Sequence, residues 1–147
     1  MKLEREIDLP ACPDEVYDVV MDPRRLHEWV TIHEDVKESP PRVLEHGDVM
    51  LQRLKVAGKG LDVRWRVTTA ERARRVVWTG DGPARSTAIS EYRFTPVEAG
   101  THFVYALEFR PPGGILGGFA SRAVLSTSVP QRELEGSLER LKALLER

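Results

Sequence analysis

Apolar and polar residues alternate with a period of two through the middle of the chain, and take helical spacing only near its two ends. The clearest strand is Leu61 to Thr69, with Leu61, Val63, Trp65 and Val67 on one face and Asp62, Arg64, Arg66 and Thr68 on the other. Thr101 to Arg110 repeats the pattern, with Phe103, Tyr105, Leu107 and Phe109 opposite His102, Val104, Ala106 and Glu108. Ala88 to Thr95 sets Ser90, Tyr92 and Phe94 against Ile89, Glu91 and Arg93. One-sided alternation of this kind marks an antiparallel sheet with one wetted face. Runs around 35–39, 49–57 and 75–80 are less regular but of strand length. The separators are turn signals: Pro40-Pro41, Gly47-Asp48, Gly58-Lys59-Gly60, Gly80-Asp81-Gly82-Pro83 and Ala99-Gly100.

Before these strands, Leu3, Ile7 and Leu9 alternate with acidic residues, which predicts a first strand stopped by Pro10. Pro13 then suits the first position of a helix, where its missing N–H costs nothing, and Asp14 and Glu15 complement the helix dipole. Val16, Val19 and Val20 form its apolar stripe. Asp22-Pro23 repeats the device as cap and first-turn proline, and Leu26, Trp29 and Val30 share the next apolar face. At the other end Leu134, Leu138, Leu141 and Leu145 step by 4, 3 and 4, a helical seam. Pro130 is expected to break or kink that helix near Val129.

This order resembles the START-related, Bet v 1-like superfamily (SRPBCC), and within it the bacterial polyketide cyclase/dehydrase group. The segment ACPDEVYDVVMDPRRLHEW is similar to the family's early helical pattern, and EGSLERLKALLER to its closing helix. The resemblance spans residues 1–147 as a single domain. It implies an α+β helix-grip fold: a curved antiparallel sheet of about seven strands around a long C-terminal helix, with two short helices after the first strand. It also implies an internal cavity, with Trp29 near its mouth. No motif in the match is catalytic, and a fold does not by itself fix function.

The apolar faces of the strands are then expected to line that cavity: Leu54, Leu61, Val63, Trp65, Val67, Tyr92, Phe94, Phe103, Tyr105, Leu107 and Phe109. The ligand-contacting set is expected to be Trp29, Gln52, Leu54, Val63, Trp65, Ser90, Tyr92, Phe94, Phe103, Tyr105 and Leu107, with Gln52, Ser90, Tyr92 and Tyr105 as its polar members. Tyrosines and tryptophans on one wall suit a partly polar ligand, because each has a polar atom in need of a partner. Strand parity points Glu91, Arg93, Glu108, His102, Arg64 and Arg66 away from the interior, so no catalytic residue is assigned.

Composition narrows the remaining classes. The net charge of −1 gives the molecule no overall field for nucleic acid or anionic membrane. The single Cys12 excludes an internal disulfide or multi-cysteine metal site; it is expected to be a buried or loop cysteine. His27, His33, His46 and His102 lack metal-ligand spacing and are expected on the surface or in loops. No cofactor or metal is implied. The charged N-terminus and the absence of any long apolar window give a cytoplasmic expectation, without stable membrane insertion. The glycines of Gly113-Gly114 and Gly117-Gly118 suit a flexible entrance to the last helix, or close packing alone. Between Arg53 and Arg85 nine Lys/Arg face three Asp/Glu, which makes part of the outer sheet face basic.

Three readings therefore stand side by side. One is binding or carriage of a small hydrophobic or amphipathic molecule. The second is a polyketide cyclase/dehydratase-type enzyme. The third is an interaction module working through the basic outer face. Ligand identity and oligomeric state stay open.

Overall fold

The computed structural model describes residues 2–56, 58–110 and 129–147. Seven strands, β1 (Lys2–Leu9), β2 (His33–Glu38), β3 (Val49–Val56), β4 (Lys59–Glu71), β5 (Arg75–Asp81), β6 (Thr87–Val97) and β7 (Gly100–Arg110), form one antiparallel sheet. Its order is β1-β7-β6-β5-β4-β3-β2. β2 to β7 are successive neighbours, whereas β1 pairs with the last strand and so closes the opposite edge from β2. Helix α1 (Pro13–Val20), a 3-10 turn (Pro23–Arg25) and helix α2 (Leu26–Trp29) carry the chain from one edge of the curved sheet to the other. Helix α3 (Val129–Leu145) packs on α2 and β1. This is the helix-grip α+β architecture.

The early helices form for local reasons. Cys12 sits at the cap position of α1, and Pro13 opens the helix with Asp14 and Glu15 in the first turn. Val16, Tyr17, Val19 and Val20 are all buried, which stabilises the docking by about 1.5–3 kcal/mol each. Asp22 then caps the following turn: its carboxylate accepts from the Arg24 backbone N–H at 3.0 Å and from the guanidinium at 2.9 Å. Arg72, in the β4–β5 turn, reaches back to Asp14 at 3.0 Å and Asp18 at 2.8 Å, and its guanidinium lies 4.8 Å from the centre of the Tyr17 ring. The sheet thereby holds α1 from outside as well as from the core.

At the β1–α1 corner the chain passes so close to the β6–β7 turn that a Cβ on Gly100 would lie 2.1 Å from the Leu9 carbonyl oxygen. Gly100 also has a φ of 149°, which favours glycine. Next to it the Thr101 hydroxyl donates to the Ala11 carbonyl at 2.7 Å.

Several expectations require correction. Gly80 and Asp81 do not break the chain but belong to β5, paired with Trp65 and Arg64. Pro130 is the second residue of α3 as described, and the residues before Val129, on which the expected break or kink depends, lie outside the described residues. Phe109, at the far end of β7, is exposed rather than interior. Leu134, Leu138 and Leu141 are buried as the seam requires, with Leu145 half-buried. The glycine-rich segment at 113–118 lies outside the described residues.

Candidate functional site

Strand register places the inward side chains in rows across the sheet. One row runs Val67, Trp78, Ser90, Leu107, and the next runs Val76, Tyr92, Tyr105. Because the sheet is antiparallel, directly opposed residues share a face, so Tyr92 meets Tyr105 with ring centres 5.0 Å apart and nearly perpendicular. The aromatic contacts continue in both directions. Trp65 meets Trp78 at 6.4 Å, Trp78 meets Tyr92 at 6.2 Å, Tyr92 meets Phe103 at 5.5 Å, and Phe103 meets Phe94 at 5.2 Å. Trp29 of α2 crosses over the middle of this band, 6.2 Å from both Tyr92 and Tyr105.

Of the residues expected to contact a ligand, Trp29, Gln52, Leu54, Val63, Trp65, Ser90, Tyr92, Phe94 and Phe103 are buried, while Tyr105 and Leu107 are half-buried. Trp29 lies at the centre of the aromatic band with none of its surface exposed, not at an opening. Trp78 belongs to the same wall and was missed, because its strand (75–81) has a weak alternation that ends in what reads as a turn. Its signal was the single tryptophan of that run.

The polar atoms on this wall are unusual. The Trp29 and Trp78 indole Nε1 atoms are buried without a hydrogen-bond partner among the described residues, and the buried Ser90 Oγ has only the nearby Tyr105 phenol, at more than ordinary hydrogen-bond distance. Such atoms cost about 1–3 kcal/mol each when left unsatisfied. Burial pushes the Tyr92 phenol well above its ordinary range, reinforced by the neighbouring Tyr105, and burial likewise raises Tyr105, opposed by its interactions with Ser90 and Tyr92. Both therefore stay protonated near neutral pH and act as hydrogen-bond donors rather than bases.

At the β3 side of the wall, Gln52 Oε1 accepts from Trp65 Nε1 at 2.9 Å, and Gln52 Nε2 lies 2.9 Å from His33 Nδ1. His33 is thus not a free surface histidine as expected: it is half-buried at the start of β2 and bonded into the interior. Sequence parity missed it because β2 carries irregularities on both sides of Asp35-Val36, which remove the alternation. Burial, together with His27, lowers the His33 pKa, while Asp35 opposes the shift. His102, by contrast, lies on the outer face of the sheet beside Asp8 at 2.7 Å and Glu6 at 3.5 Å, which raise its pKa. Cys12 is exposed, and the described residues contain no cluster of His, Cys, Asp and Glu fit to hold a metal ion.

The basic segment is neutralised only in part, with four of its nine cations in ion pairs. Arg53 pairs with Asp62, Arg72 with Asp14 and Asp18, Arg74 with Glu71, and Arg75 with Glu91. Arg64 and Arg66 remain exposed without an ion pair among the described residues. The described residues also form two surface hollows beside α3, one of about 560 Å³ at Thr31, Glu133 and Arg140 and one of about 320 Å³ at Asp18, Arg25 and Leu144. Neither touches the aromatic wall. No helix among the described residues is long and apolar enough to cross a membrane.

Known structures share this architecture. An aromatase/cyclase from a Streptomyces species superposes with a TM-score of 0.76 at 21% identity, covering 100% of this chain and 94% of that one. A Thermus thermophilus protein gives 0.74 at 20% identity, with 97% and 95% covered. At those identities the likeness concerns the fold alone. Among sequences, an uncharacterized protein of Mycobacterium tuberculosis is 30% identical over 124 residues, 83% of this chain and 87% of its own length. A toxin of the same organism is 32% identical over 81 residues, 55% of this chain and 56% of that protein. The family model described as polyketide cyclase/dehydrase and lipid transport matches residues 1–146, and the chain belongs to that family.

Proposed function

We propose that the protein binds, and in that sense carries, a small hydrophobic or amphipathic molecule with hydrogen-bond acceptors against the aromatic wall. The observation that carries this reading is the pair of orphaned indole N–H groups that flank Tyr92, Trp29 Nε1 and Trp78 Nε1. A purely structural core does better with apolar groups or paired polar ones at such positions. A ligand carbonyl or ether oxygen supplies what these donors lack, and the surrounding rings supply apolar contact. The buried phenols of Tyr92 and Tyr105 are further donors, and a carboxylate ligand finds no free cation on the wall among the described residues. Native mass spectrometry of protein purified without denaturation, followed by organic extraction, tests the reading. A co-purified neutral molecule is expected, or uptake of one from a mixture; protein that stays empty and takes up none overturns it.

A second reading, catalysis of the cyclase/dehydratase type, gains from His33. With its Nδ1 engaged by Gln52, a neutral His33 has its Nε2–H left to donate, which suits an acid better than a base. Turnover of a polyketone by the wild type, lost in His33→Phe with binding retained, favours this reading; unchanged turnover in that variant removes it. The basic-face reading is weakened only in part: Arg53, Arg72, Arg74 and Arg75 are already paired, whereas Lys55, Lys59, Arg64, Arg66 and Arg85 have no ion pair among the described residues. Nucleic acid is not among the proposed partners.

A further inference from the structure

Hydrogen-bond polarity fixes the states of three residues in sequence. An indole N–H can only donate, so Gln52 must turn its oxygen to Trp65. The other end of the same amide is then an NH2 group, which can only donate, and it meets His33 Nδ1 at 2.9 Å. His33 Nδ1 must therefore offer its lone pair, leaving the ring proton on Nε2. From these contacts we infer that His33, Gln52 and Trp65 form a proton-operated relay, in which protonation of His33 withdraws the acceptor from the buried Trp65 indole.

The switching follows from the number of acceptors available. Protonated His33 donates from Nδ1, so His33 and Trp65 both face Gln52 as donors. The amide has one oxygen, and the two partners lie at its opposite ends. A bond to a charged imidazolium is roughly twice as strong as one to a neutral indole, so the oxygen turns to His33. The Trp65 N–H then joins those of Trp29 and Trp78 as a donor without a partner on the same wall. Other charges acting on His33 are His27 on α2 and Asp35 on β2; the Glu34 carboxylate lies on the other side of β2, toward Gly60 and Arg53. From β3 the group that faces it is Gln52. The lowered pKa of His33 agrees with this arrangement, because the folded interior favours the neutral ring.

The relay is read in the ligand-free wild-type protein by following histidine and indole 15N resonances against pH. Neutral His33 is expected as the Nε2–H tautomer, and the Trp65 indole N–H is expected to shift with the midpoint of His33. In Gln52→Leu, His33 should still titrate while Trp65 no longer follows; in His33→Phe the Trp65 signal should be flat across the same range. An Nδ1–H tautomer, or a Trp65 signal indifferent to His33 in the wild type, overturns the inference. A second readout rests on the binding reading given above. Prodan, a neutral naphthyl ketone, is expected to bind about 2- to 10-fold more tightly below the His33 midpoint, the worth of one hydrogen bond. A coupled titration without prodan binding at any pH supports the relay and counts against the binding reading alone.

Discussion

The indole of Trp65 lies across Gly80 on the neighbouring strand, so closely that a Cβ at position 80 would sit 2.7 Å from Trp65 Cε3 and 2.8 Å from Val63 Cγ1. The glycine inside β5 is therefore the space that the largest side chain of β4 fills. Gly80→Ala should destabilise the protein by about 1–3 kcal/mol through overpacking. Denaturant unfolding measures that loss, and Trp65 fluorescence should shift in the folded state as the ring leaves Gln52. A variant of wild-type stability with unchanged emission would contradict this packing.

Ser90 offers the opposite sign. Its hydroxyl is buried with no partner at ordinary hydrogen-bond distance and only the Tyr105 phenol nearby, so Ser90→Ala removes a group whose desolvation is poorly compensated where it stands. The ligand-free variant should be more stable by about 1 kcal/mol. Its affinity for an acceptor-bearing ligand should fall in the same protein. Thermal unfolding with and without that ligand measures both.

His33 and His102 should act in opposite directions on stability as pH changes. His33 has a folded pKa below the ordinary 6.5, so its contribution is present above that value and is lost as pH falls through the folded pKa. His102 has a raised pKa, so its contribution is full below 6.5 and is lost as pH rises through the folded value. Stability curves of His33→Phe and His102→Gln against wild type separate the two, with the first difference confined to the acid side and the second to the neutral side.

Arg72 ties α1 to the sheet through two carboxylates and the Tyr17 ring. The ion pairs are exposed and individually weak, so most of the loss in Arg72→Met should be the cation–π contact and salt-sensitive pairing, about 1 kcal/mol in all. Repeating the unfolding at high salt should shrink the difference. A loss independent of salt would assign the effect to packing of the Arg72 stem instead.

Asp22→Ala removes the cap of the turn before α2 and should cost about 0.5–2 kcal/mol. The Arg24 side chain holds the Asp22 carboxyl below its ordinary pKa, so the difference from wild type should persist above pH 4 and vanish as pH falls through the lowered value. Unfolding at two pH values checks both the size and the window.

Much of this was legible along the chain because it is written in local periodicity. Leu61 to Thr69 and Thr101 to Arg110 alternate cleanly, and their inward residues Val63, Trp65, Val67 and Phe103 are buried. Prolines at 13 and 23 mark the starts of helical turns because they cost nothing there. What escaped depends on neighbours distant in sequence. Gly80 reads as a turn until Trp65 is placed beside it. His33 reads as a loop residue until the irregular pairing of β2 with β3 brings it to Gln52. The outward Ala106 is buried at 3% because its neighbours Glu4 and Glu91 are both ion-paired to Arg93, a network no single strand reveals.

The pairing of β1 with β7 also bears on the order of folding. Residues 2–9 meet residues 101–108, so this edge can form only after nearly a hundred residues of intervening chain are brought together. The hairpins from β2 to β7 need no such closure, since each joins neighbours in sequence. The meander should therefore assemble first, with β1 and the proline-led turns docking onto it in a slower step set by loop closure. Destabilising substitutions in β1 should then speed unfolding far more than they slow refolding.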